Sequence, residues 1–179
     1  MYNSIMNTYI SFLRGINVGG HSIKMTDLKN SYESIGLTDV KTILQTGNVM
    51  FKSHETNQVL LQTKLEDLVS KKFSFNAKIF VVRREDLRLI LNNYPFISSD
   101  DACQHYVLFM APGIARILYE EGSNLKSDID EIALGNDVIY WKVRKGMTVK
   151  SPFSKLLVKT GYKEFHTNRN IKTIAKLLS

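Results

Sequence analysis

The feature that most constrains this chain is the order in which its apolar periodicity changes along the first half. Tyr9-Ile10-Ser11-Phe12-Leu13 is apolar, aromatic-rich and closed by glycine, which predicts a strand. Met25 to Ile35 has helical spacing, with Leu28, Tyr32 and Ile35 on one face, Thr26 as the expected N-cap and Gly36 as the C′ residue. Val40 to Gln45 and Val49 to Lys52 read as strands. The short Thr46-Gly47-Asn48 link makes them a hairpin, because Gly-Asn accepts the positive φ of a tight turn. Thr56 to Phe73 is expected as an amphipathic helix whose apolar side is Val59, Leu60, Leu65, Leu68 and Val69. Ala77 to Val82 is the next strand.

Strand, helix, strand, strand, helix, strand is the split-βαβ, ferredoxin-like order. Arg84 to Leu91 adds a helix, stopped at Asn92 to Phe96 because Pro95 disfavours helix at the residue before it. The polar stretch Ser98-Ser99-Asp100-Asp101 is the expected linker, dividing the chain into domains 1–98 and 99–179. The order then repeats. His105 to Met110 is a strand, Pro112 to Glu121 a helix, Glu131 to Leu134 and Val138 to Val143 a hairpin, and Pro152 to Lys159 a helix. Glu164-Phe165-His166 is a short strand, and a last helix starts about Asn168 with Thr167 as its cap. The expected fold class is α+β: two ferredoxin-like halves, each an antiparallel sheet with helices on one face. A chain of 179 residues with 44% hydrophobic content can bury such a core without disulfides or metals.

This topology gathers polar loops. In the split-βαβ order the first two strands run parallel, with the third antiparallel between them, joined by a right-handed crossover. The loop Arg14-Gly15-Ile16-Asn17-Val18-Gly19-Gly20 and the hairpin Gln45-Thr46-Gly47-Asn48 therefore share one end of the sheet. Glycines allow close backbone approach, and a helix N-terminus adds partial positive charge, so the place suits an anion. Arg14 offers a bidentate fork to carboxylate or phosphate and Lys24 a point charge. Asn17, Gln45 and Asn48 both donate and accept, and Gly15, Gly19, Gly20 and Gly47 supply backbone approach. The competing explanation is that the glycines serve only the chain reversal and Arg14 pairs with an acid. Gly15 and Gly20, followed by His21 and Ser22, have P-loop spacing, but His21 stands where the phosphate-reaching Lys belongs, which argues against an NTPase.

Three segments carry a family resemblance. Leu13 to Gly20, then Gln45-Thr46-Gly47-Asn48-Val49, then Thr167-Asn168-Arg169-Asn170 resemble the signatures of DUF1697, a bacterial family of uncharacterised proteins. The resemblance covers almost the whole chain in the right order. It implies two related ferredoxin-like halves and brings no activity, substrate or cofactor with it. Where the family often has an aromatic after Arg-Asn, this chain has Ile171. The resemblance pairs the third segment with the two loops. On the expected helix start, Arg169 opposes the dipole, which makes sense if it meets a ligand or an acid. The resulting expectation is that Thr167, Arg169 and Asn170 form a third wall of the loop cluster.

Other residues are weighed against plainer roles. With a single cysteine, Cys103, no intramolecular disulfide forms, which fits a reducing, cytoplasmic setting. The start lacks a basic region followed by an apolar stretch, so no secretory signal is expected, and no apolar run approaches membrane-spanning length. Cys103 and His105 face one side of a strand but have no evident third group to orient them as a nucleophile pair. The four histidines show no metal spacing. Asp100, Asp101, Asp128, Asp130 and Glu131 are read as acids in solvated loops.

Net charge is +7, unevenly spread. Residues 142–179 hold ten basic residues and one acid, Glu164, a balance of +9, against 14 basic and 16 acidic residues before them. That asymmetry fits an anionic partner or a solvated basic surface. Tyr140, Trp141, Lys142 and Arg144 would suit stacked bases, so a nucleic-acid-binding module using the basic C-terminal third is the alternative to a small-anion site, and a structural or interaction domain without ligand the second alternative. Neither cofactor nor oligomeric state can be read from the sequence.

Overall fold

The structure is a computed structural model that describes residues 6–16, 22–97, 99, 101–159 and 161–179. Asn17, Val18, Gly19, Gly20 and His21 of the first loop lie outside the described residues, as do Ser98 and Asp100 of the expected linker. The chain divides into two compact units, Met1–Leu87 and Arg88–Ser179.

The first unit contains β1 (Asn7–Leu13), α1 (Met25–Ser34), β2 (Thr38–Ile43), β3 (Asn48–Ser53), α2 (Gln58–Phe73) and β4 (Ile79–Arg83). Its sheet has the order β2-β3-β1-β4, with every pair antiparallel. β1 and β2 are thus parallel with β3 between them, the split-βαβ arrangement. Tyr9, Leu13, Val49 and Phe51 face Leu28 and Tyr32 of α1 and Leu61, Leu65 and Val69 of α2 in one core. α3 (Arg84–Asn92) follows β4 directly and crosses the division.

Local chemistry shifts several expected details. Lys24, in extended conformation, caps α1 without a side-chain bond, so Thr26 lies inside the helix. Ile35 is exposed, while Gly36 takes the left-handed φ of +85° expected of a C′ residue. Asn57 caps α2, its side chain accepting from the N–H groups of Val59 and Leu60. The stripe that packs is then Leu61, Leu65 and Val69, four residues apart, while Val59 and Leu60 are 64% and 40% exposed. In the hairpin, Leu44 (φ +61°) and Gly47 (φ +72°) take the left-handed conformations, and Asn48 is already in β3.

The second unit repeats the design with β5 (Cys103–Met110), α4 (Ile114–Ser123), β6 (Asp130–Leu134), β7 (Val138–Arg144), α5 (Pro152–Leu157), β8 (His166–Asn170) and α6 (Ile171–Leu178). Its sheet order, β6-β7-β5-β8, matches the first position by position. Leu108, Leu118, Ile139, Trp141, Val143 and Phe153 anchor its core. Pro112 stands ahead of α4, whose cap is Gly113 at φ +79°. Asp130 lies in β6 rather than in a loop, ahead of Glu131, where the hairpin strand was expected to begin. The largest correction falls on β8: Thr167 and Arg169 are strand residues, and Asn170 caps α6 by accepting from the Lys172 N–H at 2.9 Å. Five consecutive polar side chains carry no strand signature of their own; pairing with β5 makes them one.

Candidate functional site

At the end of the first sheet three segments are stitched together through backbone. The Leu13 N–H donates to Gly47 O at 2.8 Å, and the Arg14 N–H donates to Lys78 O at 2.9 Å. The loop leaving β1, the β2–β3 hairpin and the entry to β4 therefore meet, as the topology requires. Gly15, exposed at φ +69°, turns the chain. Ile16 and Ile23 then tuck into the core, 3% and 4% exposed. Ile16 lies so close that a Cβ on Gly47 would stand 2.7 Å from its Cδ1.

The polar side chains divide by role. Asn48 is fully buried, and its amide nitrogen donates to Ile43 O and to Thr46 Oγ1, at 3.0 and 2.9 Å, so it braces the hairpin. Gln45 is exposed on the turn. Among the described residues, the half-buried Arg14 side chain makes no hydrogen bond or ion pair, nor do those of Lys24 and Lys78. Lys24, the cap residue of α1, makes no side-chain cap hydrogen bond, and Asp27 sits in the first turn. Glu66 is engaged on the neighbouring strand, where Oε1 accepts from the Ile79 N–H at 2.9 Å. Lys78 was not singled out from the sequence, though its place just before β4 puts it at this end once the topology is known.

The second unit is described on its own. Thr167 is 5% exposed and Arg169 half-buried on β8. Arg169 Nη1 donates to Thr167 Oγ1 at 2.9 Å and to Asn168 O at 2.8 Å. Burial lowers the affinity of this guanidinium for its proton, to a pKa of about 10, so it remains charged at neutral pH.

Several of the remaining candidates have structural partners. His105, 4% exposed, shares a hydrogen bond of 2.9 Å between Nδ1 and the Tyr94 hydroxyl, a group that nothing in the sequence linked to it. Tyr140 and Trp141 are buried, which removes them as stacking platforms. Lys142 pairs with Glu131 at 2.6 Å and lies over the Phe96 ring. Asp130 accepts from the Ser151 hydroxyl. Among the described residues no three His, Cys, Asp or Glu side chains gather to hold a metal, and no helix is long and apolar enough to cross a membrane.

No curated protein matches this chain. The chain is similar to the conserved bacterial protein SP0830 from Streptococcus pneumoniae, with 26% identity, 97% of each chain covered and a TM-score of 0.81. An unknown protein from Galdieria sulphuraria, at 10% identity over 93% of this chain and 98% of its own, has a TM-score of 0.30, too low to bear on the fold. The family model described as a protein of unknown function, DUF1697, matches residues 6–140, a span that includes the first two resembling segments and stops short of Thr167. The chain therefore belongs to the DUF1697 family.

Proposed function

We propose that the end of the first sheet binds a small oxyanion-bearing ligand, a phosphate or a carboxylate. The observation that carries this reading is a contrast between the two units. Their sheets have the same order, yet eleven residues, 14–24, separate strand from helix in the first, and only Ala111-Pro112-Gly113 do so in the second. Folding this architecture does not require the longer loop, and the longer loop is the one that carries an arginine unpartnered among the described residues. Arg14 supplies the fork, Lys24 and Lys78 add charge, Gly15 and Gly47 keep the backbone close, and Gln45 offers an amide at the rim. Asn48 orders the hairpin. Asn17, Gly19 and Gly20 complete the loop in this reading.

Thermal melts against inorganic phosphate and a panel of phosphorylated and carboxylated metabolites test it. A ligand at about a hundred times its Kd adds about 2.7 kcal/mol, a rise of roughly 5–10 °C for a chain this size. The expected result is that Arg14→Ala abolishes the rise. A rise that survives Arg14→Ala removes the site. The alternative, a nucleic-acid partner, is favoured by exposed basic residues of the C-terminal third, among them Lys145, Lys150, Lys155, Lys163, Lys172 and Lys176. It predicts affinity that falls steeply with salt and follows those lysines instead of Arg14.

A further inference from the structure

The link from the first helix to the edge strand differs between the two units. Three residues, 35–37, join α1 to β2, and six, 124–129, join α4 to β6. The longer link borders a cavity of about 250 Å³ in the second unit. Leu125 of the link, Ile132 of β6 and Phe153 of α5 give it an apolar wall, and the exposed Ser123 and Ser127 stand at its polar side. Gly122, at the end of α4, packs tightly against two of these residues: a Cβ there would stand 2.8 Å from Ile132 Cδ1 and 2.9 Å from Phe153 Cδ2.

One carboxylate shares this space with the apolar wall. Asp130 and Ile132 pair with Val143 and Trp141, which lie in the core with α4 and α5, so both side chains stand on the helix side of β6. Glu131, between them, belongs to the other side and is taken by Lys142 at 2.6 Å. The half-buried Asp130 accepts at Oδ2 from the fully buried Ser151 hydroxyl, which in turn accepts from the Ser154 N–H at 2.9 Å as the cap of α5. Among the described residues no lysine, arginine or histidine pairs with Asp130, and Arg144 is turned to Asp128 O at 3.2 Å. The plainer explanation is that Asp130 only braces α5 through Ser151. An asparagine oxygen would accept the same hydroxyl, so bracing does not require the charge, and withdrawing an unpaired carboxylate from water costs stability.

We infer that this cavity binds a small primary amine. Asp130 accepts from the ammonium, while Leu125, Ile132 and Phe153 hold a short apolar chain or ring. An apolar wall with one placed charged group is the usual build of a small-molecule site, and a volume below about 300 Å³ limits the occupant to less than a drug-sized molecule. Ser151 fixes the carboxylate before the ligand arrives, so little ordering is left to be done on binding. The site belongs to the second unit and does not depend on the oxyanion reading of the first.

The test is a titration of the full chain with n-butylammonium chloride, followed by amide chemical shifts, with n-butanol and sodium butyrate as probes of matched shape. A net charge of +7 repels small cations from the surface at large, so saturable binding of one requires a built site. The expected result is saturable shifts at Ser123, Leu125, Ser127 and Ile132 with butylammonium, a weaker curve with butanol and none with butyrate. Asp130→Asn keeps an acceptor for Ser151 and should weaken the butylammonium curve by about tenfold or more, the loss typical of a charged hydrogen bond. Should Asp130→Asn fail to fold, Ser123→Trp places bulk at the exposed edge of the cavity without entering the core, and it should abolish the shifts. The inference is overturned if butylammonium gives no saturable shifts at these amides, if butanol or butyrate binds as tightly, or if the curve is unchanged in a folded Asp130→Asn or Ser123→Trp variant. Phosphate-induced shifts at Gly15 and Gly47 report separately on the loop site, so either idea can fail alone.

Discussion

Gly47 and Gly15 show how differently two left-handed glycines depend on lacking a side chain. Both have positive φ, +72° and +69°, so any L residue there is strained. Around Gly15 a Cβ meets open space, whereas at Gly47 it would stand 2.7 Å from Ile16 Cδ1 and 2.8 Å from Leu13 Cβ. Gly15→Ala should therefore cost only the backbone penalty, about 1–2 kcal/mol. Gly47→Ala should cost more, roughly 2–4 kcal/mol, because Ile16 must move as well. Urea midpoints of the two variants check the order; equal losses would mean that Ile16 does not hold the loop against the hairpin. Tyr32 gives a pH prediction. Its hydroxyl lies 2.9 Å from Ser11 Oγ in a fully buried setting, and burial holds its pKa well above that of an ordinary phenol. The unfolded chain ionises this phenol near pH 10, while the folded chain keeps the proton. Its contribution to stability is therefore intact below about pH 10 and is lost progressively above it. Tyr32→Phe should cost about 1 kcal/mol at pH 7, through the lost hydrogen bond. The variant should also lose stability less steeply than the parent between pH 9 and 11; parallel slopes would show that Tyr32 does not drive alkaline unfolding.

At the level of elements, the order of strands and helices was legible because apolar periodicity is local, and both sheets follow from it. What periodicity could not fix was phase and capping. Val59 and Leu60 look as apolar as Leu61, but Asn57 sets the start of α2, and Leu61, Leu65 and Val69 then form the packed stripe. Over β8 the sequence predicts only a short strand running into a helix, because His-Thr-Asn-Arg-Asn contains no apolar residue to set a period. Its strand character comes from long-range pairing with β5, which no local window contains. The meeting of the β1 loop with the β2–β3 hairpin was also legible, from topology alone, whereas Lys78 and the bracing role of Asn48 needed the backbone bonds. Caps convert these differences into measurements. Asn57→Ala and Asn170→Ala should each cost about 1 kcal/mol, because each side chain accepts a helical N–H. Thr26→Ala should be nearly neutral, since Thr26 lies inside α1 and does not cap it. A loss at Thr26 as large as at Asn57, in parallel urea titrations, would move the start of α1 by two residues.

For the whole molecule, the useful fact is that one architecture is built twice with different loops, so each unit serves as a control for the other. The second unit shows that three residues suffice between β5 and α4, with Gly113 at φ +79° making the turn. Replacing residues 14–24 by Ala-Pro-Gly should therefore leave the first sheet intact, with far-ultraviolet circular dichroism close to that of the parent. It should not leave stability intact. Ile16 and Ile23 are buried in the first core, and removing both forfeits about 1.5–3 kcal/mol each, an upper bound because unfolded chains already bury part of that surface. The shortened chain should melt lower by an amount of that order and show no stabilisation by phosphate at the first sheet. A shortened chain that stays folded and still gains stability from phosphate would remove the loop from the binding role altogether. One that loses its secondary structure would show that the loop's two isoleucines make the first unit depend on it for folding. The excess length would then be explained by packing, and Arg14 would need its own test by substitution alone.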